Sequence, residues 1–184
     1  MKTPEIEQYC KEFDQIGAQA RQLTEGLNEE RFNWRPQPGE WSIEECLAHL
    51  LIAGNWEVRA IEDAIGHAKA VGLTASGPFR YGPFERLVVR KTEPPVKRKF
   101  TAPKRFRPLH EQPVTAVLPS FLHLQSQLML LAQSADGLDL ARIKVPTPIS
   151  RLIRLSLGMT FAQVAAHERR HLDQAWRVRR QLPA

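Results

Sequence analysis

The sequence predicts an all-α protein, a four-helix bundle with long connections after the second helix and before the fourth. Two observations carry this. Four stretches of about 20 residues place apolar side chains at helical spacing, and no stretch convincingly alternates as a strand. The four apolar stripes bury one another most simply as a bundle, either up-down-up-down or with non-adjacent packing.

The first helix is expected from about Thr3 to Leu27, where Ile6, Tyr9, Phe13, Ile16, Ala20 and Leu23 recur on one side. Gly17 and Gly26 weaken it without ending it early. Phe32 to Trp41 holds two prolines and a glycine and reads as a structured connection. The second helix starts at Ser42, which with Glu45 forms a capping box, and runs to Gly66 with Ile43, Leu47, Leu50, Ala53, Trp56 and Ile61 inward. Residues 67–113 break into Gly, Pro and basic residues, with a short helix near Phe84 to Arg90; so long a connection usually carries function or disorder. The third helix is expected from Val114 to Ala135, stopped by Asp136-Gly137. The fourth runs from Leu157 to Arg180.

Length and composition suit a single domain spanning 1–184. The start, MKTPEIEQYC, lacks the apolar stretch of a secretory signal. The most apolar run, Ser120 to Ala132, is shorter than a membrane span and holds His123, Gln125 and Gln127, so no membrane is expected. Two cysteines, Cys10 and Cys46, make no disulfide framework and read as reduced thiols of a cytoplasmic protein. The net charge of +6 is local: Arg86 to Arg107 carries nine Lys/Arg against Glu93, leaving the rest of the chain at −2. Such a loop lacks the groove-reading helix or aromatic platform of a nucleic-acid binder, although Phe100 and Phe106 interleave with its charges.

The chemistry concentrates in His167-Glu168-Arg169-Arg170-His171. Four residues turn an α-helix by about 400°, so the two imidazoles project from one side, about 6 Å apart along the axis. Both can reach one divalent ion. Arg169, Arg170, Asp173 and Arg177 are expected on the opposite side. The string also reads H-E-x-x-H, the zinc-protease helix, but Asp173 is too near and no His, Glu or Cys follows it. A third ligand must come from upstream: His49 on the second helix, His123 on the third, or His67 and His110 on the long connection. Taken singly, His49 and His123 each read as core histidines, and the connection could reach a site only by folding over it.

Two segments resemble the DinB-like (DinB/YfiT) superfamily of metal-binding four-helix bundles: Trp34 to Leu51, WRPQPGEWSIEECLAHLL, and Leu157 to Trp176, LGMTFAQVAAHERRHLDQAW. The resemblance implies that His49, His167 and His171 form a metal triad for a divalent ion, usually zinc or nickel. It also implies a metal-dependent thiol S-transferase, activating a low-molecular-weight thiol toward an electrophilic substrate. Glu168 is then the candidate proton acceptor, and Gln174 and Glu45 could orient the imidazoles. Trp41 and Trp56 read as packing. Metal-dependent hydrolysis on the same ligands, with Glu168 as base, is the alternative. A non-catalytic module binding a ligand, partner or nucleic acid through Arg86 to Arg107 is a third. Apolar residues outside the stripes, Leu152, Ile153 and Leu155, make a homodimer a further expectation.

Overall fold

The computed structural model describes residues 3–95, 102–150 and 152–183, and its regular structure is helical except for one small hairpin and an isolated bridge between Thr74 and Leu138. The four long helices are α1 (Pro4–Thr24), α3 (Ile43–Ala70), α5 (Val114–Ser134) and α6 (Leu157–Arg179). Shorter pieces join them: α2 (Glu29–Asn33), α4 (Pro83–Thr92) and a 3-10 turn at Lys104–Phe106.

Each stripe read from periodicity is buried. Ile6, Phe13, Ile16, Ala20 and Leu23 of α1 meet Val117, Phe121, Leu124 and Leu128 of α5 and Phe161, Val164 and Leu172 of α6 in one core. The ring of neighbours is α1–α5–α3–α6, so α1 faces α3 across the diagonal, and α3 lies against α6. This is non-adjacent packing. The approach of α3 to α5 is close at Gly54, where a Cβ would overlap the side chain of Leu124. On α3 the inward position beyond Ala53 is taken by Glu57, which is buried, whereas Trp56 is only half-buried.

Three expectations need correction. Ahead of α6 the chain makes two short antiparallel strands, β1 (Lys144–Pro146) and β2 (Arg154–Ser156), paired Val145↔Leu155. Three residues are too few for alternation to register, which is why sequence reading passed over them. Leu155 is buried in this hairpin and is no free apolar surface, while Leu152 is 95% exposed. The basic connection holds the short helix expected near Phe84 to Arg90, observed as α4 and packed along α6; what was not expected is that Phe106, farther along it, is buried. Residues 96–101, with Lys97, Arg98, Lys99 and Phe100, lie outside the described residues.

Glu85 anchors α4 by accepting from the Ser156 N–H at 2.7 Å and from the Lys144 Nζ at 3.0 Å. This ties α4 to the hairpin and the start of α6. By length and composition α5 alone among the described helices suffices to cross a membrane, the whole helix exceeding the apolar run noted above. Its apolar stripe is spent on the core against α1 and α3.

Candidate metal centre

His49 is delivered by the start of α3. The Ser42 Oγ accepts from the Glu45 N–H at 3.1 Å and the Glu45 carboxylate accepts from the Ser42 N–H at 3.0 Å, so the capping box forms as its residues predict. The Glu45 carboxylate is also engaged by Arg35, which donates to it at 2.7 and 2.5 Å, and no hydrogen bond joins it to an imidazole of the triad among the described residues. Two turns into α3, His49 is 4% exposed. Packing of α3 on α6 brings it to His167 and His171, which share one side of α6.

The three rings converge. Their centroids lie 5.3 Å apart for His49–His167, 4.6 Å for His49–His171 and 4.8 Å for His167–His171. One ring nitrogen from each falls within 4.8 Å of the other two. The Nε2 atoms of His49 and His167 are 3.4 Å apart. Two nitrogens held at 2.0–2.1 Å from a tetrahedral ion would be separated by about 3.3 Å, so this spacing fits such an ion.

The tautomer of His49 follows from its partner. Its Nδ1 lies 2.7 Å from the Phe106 carbonyl oxygen, which has no proton to give. Nδ1–H therefore donates, and the lone pair is on Nε2, facing His167. The Nδ1 of His171 is buried without a hydrogen-bond partner among the described residues. A buried imidazole nitrogen that no protein group meets, on a ring packed against two others, fits a ligand set.

Burial keeps all three rings uncharged. It lowers His49, pushes His167 down to about 3 and holds His171 well below the usual histidine range, the mutual proximity of the rings adding to the effect on the last two. Neutral imidazole is the ligating form. Arg170 contributes to all three shifts, so its positive charge acts on the site. Helical spacing alone had assigned Arg170 to the far side; it sits at the margin of the histidine face instead.

Other predicted residues fall as follows. Gln174 interacts with the His171 ring. Trp41 stacks on His171 at 5.7 Å and lies 4.9 Å from His49, closing one side of the triad. Trp56 is not simple packing, since it lines a small pocket two turns along α3. Glu168 is 2% exposed and accepts from the Gln125 Nε2 at 2.8 Å. Its second oxygen has no partner among the described residues, and burial raises its carboxyl to about 8. His110 stands 3.9 Å from Glu44 and Glu45 and away from the triad, and His67 and His123 are exposed. For His123 this reverses the core assignment: it sits one position off the buried stripe of α5, between Leu122 and Leu124.

The residue that sequence reading missed is Phe106. A backbone carbonyl leaves no signature in a sequence, and the only hint was an aromatic inside a basic, Pro-rich connection.

A family model described as the DinB superfamily matches residues 12–175, which takes in α3 and α5 whole, most of α1 and α6, and every member of the triad. No curated protein and no solved structure matches the chain. The chain therefore belongs to the DinB superfamily.

Proposed function

We propose that this protein is a metal-dependent enzyme of the thiol S-transferase type, with zinc or nickel held by His49, His167 and His171. The observation that carries the reading is the convergence of three neutral ring nitrogens, with no carboxylate or thiolate in the set. A divalent ion held by such ligands keeps its full positive charge and, when bound, supplies the field that lowers the pKa of an incoming thiol.

The chain's own residues support the rest. Phe106 and Trp41 hold His49 and His171 in place, so the site needs little rearrangement to bind. Arg170 adds positive charge that favours an anionic sulfur over a neutral one. Glu168 is the proposed proton acceptor in its ionised form: burial raises its carboxyl to about 8, so the carboxylate is the minor species at neutral pH and grows as pH rises toward 8. In the transfer, the thiol proton passes to Glu168, the sulfur bonds to the electrophile, and the leaving group departs with its bonding electrons. The proposed partners are thus a low-molecular-weight thiol and a small electrophile, in a cytoplasmic setting that keeps Cys10 and Cys46 reduced. Exposed Ile149, Leu152 and Ile153 at the hairpin offer a surface for homodimerisation.

The test is to load the protein with zinc or nickel and supply an electrophile with and without a panel of small thiols. Turnover is expected only with thiol. Thiol-independent cleavage of amides or esters would replace this reading with metal-dependent hydrolysis.

A further inference from the structure

Two turns beyond His49, about 12 Å along α3, the bundle holds a second polar feature that the metal reading does not use. Glu57 is 3% exposed, and its Oε1 has no hydrogen-bond partner among the described residues. It lines a pocket of about 10 Å³ between α3, α6 and the hairpin, together with Trp56, Thr160, Gln163, Pro146 and Pro148. That volume accommodates one group the size of a water molecule.

None of the pocket's own hydroxyls serves Glu57: Thr160 donates to the Ser156 carbonyl and Thr147 to that of Ser150, and the Glu57 Oε1 has no partner among the described residues. The charged neighbour acting on Glu57 is another acid, Glu168, and no cation contributes. An inorganic cation would demand about six oxygens around it, whereas Trp56, Pro146 and Pro148 present mainly carbon. A protonated amine matches the size, supplies donors and positive charge, and suits the indole face of Trp56.

We propose that this pocket receives the ammonium head of a small organic amine, hydrogen-bonded to Glu57, with its carbon skeleton along Trp56, Pro146 and Pro148. The proposal stands apart from the histidine triad.

The test uses the full chain in amine-free phosphate buffer, metal-loaded and chelated in parallel, titrated with n-butylamine and with its neutral counterpart 1-butanol. The readout is the indole N–H resonance of Trp56, assigned by Trp56→Phe. Butylamine is expected to shift that signal saturably in both preparations, and butanol is not. Glu57→Gln, which preserves size and removes an uncompensated buried acid, should weaken amine binding at least tenfold. Trp56→Leu, followed by calorimetry, should weaken it severalfold. Equal response to butanol, unchanged amine binding in Glu57→Gln, no amine binding at all, or displacement of amine by equimolar sodium or potassium would each overturn the proposal.

Discussion

The two faces of α6 handle polar groups in opposite ways. Toward α3 stand His167 and His171, uncharged, one with a ring nitrogen left over. Toward α1 and α4 stands Arg169, donating to Glu12 at 3.1 Å and gripping Glu93 through two guanidinium nitrogens. The Arg169 side is closed electrostatically: one cation meets two carboxylates, and the result ties α4 to the bundle. The histidine side has lone pairs in excess of donors. The difference separates a polar cluster that completes the fold from one that awaits a ligand, although both lie on the same helix within two residues of each other.

The largest effect should come from the histidine face. His49→Ala, His167→Ala and His171→Ala are each expected to abolish near-stoichiometric metal binding, read by elemental analysis of purified protein, while the fold persists by circular dichroism. Metal retained by any one variant would remove that residue from the ligand set. Phe106→Ala should loosen the carbonyl that orients His49 and weaken metal affinity about 10- to 100-fold, the usual cost of losing such a partner; competition with a chelator measures it.

The charge state of the same face can be tested by pH. His167 titrates near 6.5 when unfolded and is pushed down to about 3 in the fold, so the unfolded chain takes up the proton first. Its contribution is complete above pH 6.5 and lost as pH falls. At pH 5 the metal-free protein should have lost about 2 kcal/mol on this account, from about 1.4 kcal/mol per pH unit. His167→Gln should lose correspondingly less between pH 7 and 5, by urea denaturation. The buried acids run the other way: Glu57, raised to about 8 by burial and by Glu168, costs stability as pH rises from 4.5 through 8. Glu57→Gln should flatten that alkaline decline.

On the opposite face, Arg169→Met should cost about 1–2 kcal/mol, in keeping with two partly exposed ion pairs, and leave metal content untouched. A loss of metal there would dissolve the contrast between the faces. The smallest change is expected from Ser42→Ala, about 1 kcal/mol by thermal denaturation, since it removes only the cap that starts α3.

Much of this was legible in the chain. The apolar stripes of α1, α3, α5 and α6 follow helical spacing because burial on one side is what gives them that spacing. The capping box at Ser42 and Glu45 is local chemistry, complete within four residues. His167 and His171 announce themselves because one helix turn separates them. His49 was different. Taken by itself it reads as a core histidine, and only the resemblance in its segment and in α6 singled it out from His67, His110 and His123. Glu57 escaped notice because a lone glutamate in a helix normally faces water. The hairpin escaped because its strands are three residues long. Arg170 was misplaced because a helix margin belongs to neither face until a neighbour packs on it.

The sequence by itself determined the helices, their inward faces and the paired histidines, all properties of residues within a few positions of one another. The tertiary structure alone decided that α3 lies beside α6 while α1 lies across the diagonal. It also decided that a carbonyl from a distant connection sets the tautomer of His49, and that Glu57, Gln125 and Glu168 are all buried. The physical reason is range. Hydrogen bonds within a helix and the period of apolar burial act over one or two turns, whereas a site made from residues 49, 106, 167 and 171 exists only once packing has chosen which helices touch.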